Sequence, residues 1–127
     1  MTQDSDAAGP AHHSDAEAIE ATLAALLDDL AEEFADVERR ESPDQVDYLV
    51  GTQEFARLTG ATLQFRLRPE IALAATRTAS ATTSPLGREW VSFSPTAFDQ
   101  YALDRAQAWF ELGHRLAAEA SSGAKRH

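Results

Sequence analysis

Arginine is the residue type with the most to offer chemically in this sequence. Arg57, Arg66 and Arg68, with Arg77 and Arg88 further along, fall within or beside a segment running from Gln53 to Phe93. A guanidinium stays charged and presents a planar fork of donors that fits phosphate or carboxylate oxygens. If Leu63 to Arg68 is a strand, alternation puts Leu63, Phe65 and Leu67 on one face and Gln64, Arg66 and Arg68 on the other. Arg57, Arg66, Arg68 and Arg88 are therefore the candidates for binding an anionic ligand or nucleic acid. The competing expectation is internal: these arginines pair with carboxylates of the first helix, or with those of a neighbouring subunit. A nucleic-acid surface would want aromatics interleaved among the cations, and Phe55, Phe65 and Trp90 are expected to point into the core.

Other chemistry is thinly represented. His114 is the one histidine inside an expected element, with Glu111 three residues before it on the same helical face. Such a Glu-x-x-His pair ligates metal only with partners from other helices, and none is visible, so no metal site is expected. His12 and His13 fall in the N-terminal tail. There is no phosphate-cradling glycine loop, nucleophile elbow or pair of carboxylates in a hydrolase pattern, so no catalytic residue is expected. No cofactor is expected either. Cysteine is absent, which removes disulfides, thiolate metal sites and thiol nucleophiles together.

Charge is unevenly divided. Of the formal net charge of −10, residues 1–45 hold 13 acidic and 2 basic side chains, whereas 46–127 hold 8 and 9. Lys125 is the single lysine among 11 basic residues. Many acids, almost no lysine and abundant alanine resemble the composition of salt-adapted, haloarchaeal-type proteins; general solubility accounts for the same charge. At 127 residues and 43% hydrophobic content the chain has room for one modest core. The acidic start lacks the basic and apolar regions of a signal peptide, and no apolar run approaches membrane-spanning length, so the expectation is a soluble cytoplasmic protein.

The elements that must position the arginines follow from periodicity. Residues 1–13 read as a disordered acidic tail, 14–120 as one domain, and 121–127 as a flexible tail. Ser14-Asp15-Ala16-Glu17 predicts a capping box opening a helix over 14–40. Ile19, Leu23, Leu26, Leu27, Leu30, Phe34 and Val37 form its apolar stripe, Arg39 and Arg40 its basic end, and Ser42-Pro43 its stop. That stripe packs on its own sheet or, read as a heptad seam, forms a homodimer. Strands are expected at 46–50, 55–58 and 63–68, with Gly60 in the hairpin turn of the last pair. Pro69 opens a short helix, and 78–89 reads as a mobile loop. Trp90 to Phe93 is the final strand, and a last helix opens at Ser94 or Thr96. Its stripe includes Phe98, Ala102, Ala106, Trp109, Gly113, Leu116 and Ala120, widened by Tyr101, Phe110 and Leu112.

The order helix, three strands, helix, strand, helix resembles the YjbR/MmcQ-like fold and the luciferase-like domains associated with it. The residues carrying the resemblance are Gly51 to Ala56, Leu63 to Ile71, Trp90 to Phe93 and Ala102 to Ala106. It covers roughly 46–118. It implies DNA binding as one role for the fold and adds no catalytic residue, since this chain lacks the histidines those families place on the hairpin or before the last strand. The expected architecture is α+β: a small, mainly antiparallel sheet with the N- and C-terminal helices on one face. The expected function is a non-catalytic protein acting through surface or homodimer contacts. The alternative is a sheet-face binding module using clustered arginines, and a third option is an enzyme whose site lies beneath loop 78–89.

Overall fold

A computed structural model of the chain describes residues 11–97 and 99–125. Helix α1 (Ala11–Glu32) leads into β1 (Val37–Ser42), β2 (Gln45–Val50), β3 (Gln53–Thr59) and β4 (Thr62–Arg66). Helix α2 (Pro69–Ala75), β5 (Ala81–Thr83), β6 (Trp90–Phe93) and α3 (Gln100–Lys125) complete the order. The six strands form one antiparallel sheet in the order β1-β2-β3-β4-β6-β5. The architecture is the expected small α+β fold, with two strands more than periodicity predicts. No helix among the described residues is long and apolar enough to cross a membrane.

The expected first helix, 14–40, is displaced at both ends. Its backbone begins at Ala11, so His12 and His13 belong to the helix, while the rest of the expected tail lies outside the described residues. It ends at Glu32, where Glu33 and Phe34 donate amides to the carbonyls of Leu30 and Ala31 in a tightened last turn. Arg39 and Arg40 are therefore not a helical C-terminus. They lie on β1, which pairs with β2 across the two-residue turn Pro43-Asp44. The override is tertiary: Arg39 Nε reaches back 2.9 Å to Asp28 Oδ1, which also accepts from the Tyr48 hydroxyl at 2.8 Å. The charged sequence of β1 suits an edge strand, because it discourages further pairing. Within α1, Leu23, Leu27 and Leu30 are buried in the chain's own core.

One irregularity sets the central strands. Tyr48 pairs with Ala56 but Leu49 pairs with Glu54, so Phe55 is an extra residue in β3. The bulge puts consecutive side chains, Phe55 and Ala56, into the core, both 0% exposed. Beyond it, Leu58, Leu63, Phe65, Val91 and Phe93 share the helix-covered face, and Arg57, Gln64, Ser92 and Thr82 form a row across the other. Helix α3 closes the core with Ala102, Ala106, Trp109, Phe110, Gly113 and Ala117. Phe110 meets Phe55 edge-on at 5.0 Å and Tyr48 at 5.7 Å, while Trp109 meets Phe93 at 5.4 Å.

Helix α3 opens later than expected. Asp99 is its cap: its Oδ1 accepts the Ala102 amide at 3.0 Å, the role assigned above to Ser94 or Thr96. The helix continues through Ser121-Ser122-Gly123 to Lys125. Tyr101 faces outward at 40% exposure, Ala120 is exposed, and Phe98 lies outside the described residues. The expected mobile loop 78–89 holds an edge strand. Thr78 and Ala81 close a turn, Ser80 takes a positive φ of 67°, and its carbonyl accepts the Ser94 amide at 2.9 Å.

Candidate functional site

The structure divides the candidate arginines, with Arg66 and Arg68 lining one small cleft and Arg88 another. Arg57 projects from the face opposite the helices and is held by two carboxylates. Its Nε lies 2.9 Å from Asp47 Oδ1 and 3.0 Å from Glu54 Oε2, and its Nη2 donates to Glu54 Oε1 at 3.1 Å. Burial, then the hydrogen bond to Asp47, pushes the Glu54 carboxyl above its usual range despite Arg57. For Asp47 burial acts in the opposing sense, but hydrogen bonds with Glu54, Gln45 and Arg57 outweigh it and hold the carboxyl low. Two carboxyls pushed apart in this way resemble an acid–base pair. Neither lines any of the four best-formed concavities among the described residues, however, and both carboxyls are already bonded to Arg57.

Arg66 donates Nε to Glu89 Oε1 and Nη1 to Gln53 Oε1, both at 2.9 Å. It lines a small cleft of about 150 Å³ against α3, beside Leu67 and Arg68. The carboxylates that neutralise Arg57 and Arg66 thus come from strands β2 and β3 and the β5–β6 connection, not from the first helix. Arg68 does not share a strand face with Arg66, because β4 ends at Arg66 and Arg68 sits at the start of α2, exposed. Arg88 is exposed in the β5–β6 connection. Among the described residues neither Arg68 nor Arg88 has a carboxylate within 4.0 Å.

His114 is used in packing and pairing. Its ring stacks on Phe34 at 4.0 Å, and Nε2 lies 2.8 Å from Asp36 Oδ1. Among the described residues no group of three or more histidines and carboxylates could hold a metal ion.

A larger concavity lies elsewhere, between α2 and the β5–β6 connection. It has a volume of about 620 Å³, within the usual range of ligand clefts. Pro69 fixes the start of α2 and its missing amide is one the first turn does not need. Over seven residues α2 then turns Ala72 and Ala75 inward against the core and leaves Leu73 outside, 63% exposed. Leu73 forms one wall with Pro69 and Thr76. Opposite stand Thr83, Pro85 and the half-buried Trp90, which the sequence reading assigns to the core. Trp90 is aimed by a turn in which its amide donates to the Gly87 carbonyl at 3.1 Å.

That far wall is fastened from beneath. Gln64 and Ser92 are buried polar residues on the face without helices. Gln64 Oε1 accepts from both Ser92 Oγ, at 2.8 Å, and Ser84 Oγ, and Ser84 Oγ in turn accepts the Leu86 amide at 3.0 Å. Two charged side chains line the cleft, Glu70 on α2 and Arg88 opposite. Its hydroxyls belong to Thr76, Thr83 and Ser84, and no histidine lines it. Of the four arginines singled out from sequence, only Arg88 belongs here. Leu73 and Trp90 escape sequence reasoning; the available signal was that α2 is too short to bury every apolar residue of Ile71, Ala72, Leu73, Ala74 and Ala75.

No family model, curated protein or solved structure matches the chain. The functional reading therefore rests on the chemistry of the cleft.

Proposed function

We propose that the chain is a non-catalytic binding module whose ligand seats an apolar group in the cleft between α2 and the β5–β6 connection. The observation that carries this reading is Leu73, 63% exposed beside Trp90 in a cleft of about 620 Å³. Exposing a leucine costs roughly 1.5–3 kcal/mol relative to burying it, and an incoming apolar group recovers part of that. Binding is favoured over catalysis because Glu70, the one carboxylate among the lining residues, makes no hydrogen bond to a lining hydroxyl: Thr76 donates to the Leu73 carbonyl and Ser84 to Gln64. It is favoured over an arginine-lined sheet face because Arg57 and Arg66 already hold carboxylates, and of the two candidates without one, Arg68 lines only the small cleft against α3 whereas Arg88 lines this larger one.

The test is a titration with indole followed by protein NMR. Saturable shifts confined to the Trp90 side chain and to amides of 69–76 and 83–90, lost in Leu73→Asp, support the reading. Unsaturable shifts spread over the surface, or binding unaltered by Leu73→Asp, overturn it. The buried Trp109 serves as the internal control.

A further inference from the structure

The cleft has an apolar body and two opposite charges at its margin. Glu70 is its one carboxylate and Arg88 its one guanidinium, each exposed and each standing on a different wall. They do not bond to one another, and among the described residues neither has an oppositely charged group within 4.0 Å. Four other arginines are neutralised: Arg39, Arg40, Arg57 and Arg66 each hold a carboxylate at 2.9–3.0 Å. A ligand that only buries hydrocarbon leaves both margin charges idle. A fatty acid engages Arg88 but brings its charge towards Glu70, and an alkylamine meets the reverse difficulty. A ligand with a free ammonium, a free carboxylate and an apolar body satisfies both walls at once.

Resting on the cleft reading above, we propose that the ligand is an apolar zwitterion, a free apolar amino acid or a short apolar peptide with both ends unblocked. Its carboxylate is taken by the Arg88 fork, its ammonium by the Glu70 carboxylate, and its side chain lies between Leu73 and Trp90. A volume of about 620 Å³ leaves room for more than one residue.

The experiment titrates the full chain with leucine, leucyl-leucine, N-acetyl-leucyl-leucine, leucyl-leucine amide and the doubly blocked N-acetyl-leucyl-leucine amide. The readout is the Trp90 side-chain resonance. Blocking either end is expected to weaken binding by about three- to tenfold, the exposed setting holding the effect at the low end for charged hydrogen bonds. Arg88→Gln should then bind the free acid and its amide alike, and Glu70→Gln should bind the free amine and its acetyl derivative alike. Both positions are exposed, and an unchanged, dispersed amide spectrum certifies each variant's fold. Comparison of leucine with leucyl-leucine decides between amino acid and peptide. If the doubly blocked dipeptide binds as tightly as the free one, or if only one end matters, the zwitterion inference is wrong while the cleft reading stands. If none of the series binds but indole does, the inference fails in the same way; if indole fails too, both fall.

Discussion

Replacing Gln64 with leucine breaks the fastening beneath the cleft wall. Gln64 is 9% exposed, and its Oε1 accepts from Ser84 Oγ and from Ser92 Oγ. A net hydrogen bond contributes about 0.5–1.5 kcal/mol, and a buried hydroxyl stranded without a partner costs about 1–3 kcal/mol. Leucine is close to glutamine in volume, so cavity effects are small. The two serines then behave differently. Ser84 is half-buried and can turn to water, whereas Ser92, 8% exposed, cannot. The expected loss is about 1–3 kcal/mol, most of it assigned to Ser92. Urea denaturation at unchanged m-value measures it. Hydrogen exchange at the Leu86 amide, which donates to Ser84 Oγ, should quicken as the wall loosens. Adding Ser92→Ala to the leucine variant removes the stranded hydroxyl and should recover part of the loss. A Gln64→Leu variant within about 0.5 kcal/mol of the native chain refutes the reasoning. So does a further loss when Ser92→Ala is added.

The Asp47–Glu54–Arg57 cluster gives a pH test. Because the folded-state Glu54 carboxyl lies above its usual range, the native state holds that proton more tightly, and its contribution to stability falls as pH rises from the usual glutamate value through the raised one. Glu54→Gln should remove that descending segment from a stability–pH profile, leaving Asp47, whose lowered value favours the fold above the usual aspartate range and is lost on acidification through it. Tyr48→Phe deletes a hydroxyl that donates to Asp28 Oδ1 at 2.8 Å and should cost about 1 kcal/mol in denaturant titrations. Burial, and then the Asp28 carboxylate, raises the Tyr48 phenol, so ultraviolet titration should show a tyrosine ionising well above the ordinary phenol value, with stability falling as it does. Gly113→Ala adds helix propensity of about 1 kcal/mol. Its Cβ would nevertheless stand 3.2 Å from the Phe55 carbonyl oxygen and 3.3 Å from that of Arg66, so the melting temperature should fall rather than rise. Gly60→Ala meets nothing within 4 Å but inherits a φ of 59°, and should cost about 1–2 kcal/mol.

Much of the candidate site was illegible in the sequence for identifiable reasons. Alternation marks Arg66 as outward-facing, but it carries no information about Glu89, a residue 23 positions away that lies beside it only once β6 has paired with β4. Arg57 is similar: Asp47 and Glu54 meet it because two hairpins fold back in register. Phe34 and Val37 continue the helical stripe of α1 by spacing alone. Nothing in Glu33 to Asp36, which has neither glycine nor proline, announces that the helix stops and an edge strand begins. The bulge at Phe55 likewise has no local signature, since it is the core that requires two adjacent side chains on one face.

Local chemistry by itself determined the hairpin at Gly60, the proline start of α2, the β6 strand and the amphipathic core stripes of α1 and α3. Each depends on backbone preference or on a period that a few consecutive residues declare. Tertiary structure alone decided which charges are neutralised, where β1 and β5 join the sheet, and that Leu73, Trp90, Glu70 and Arg88 share one cleft. Those outcomes depend on distances between segments far apart in the chain, and only the assembled six-stranded sheet with α2 packed against β5 and β6 sets them.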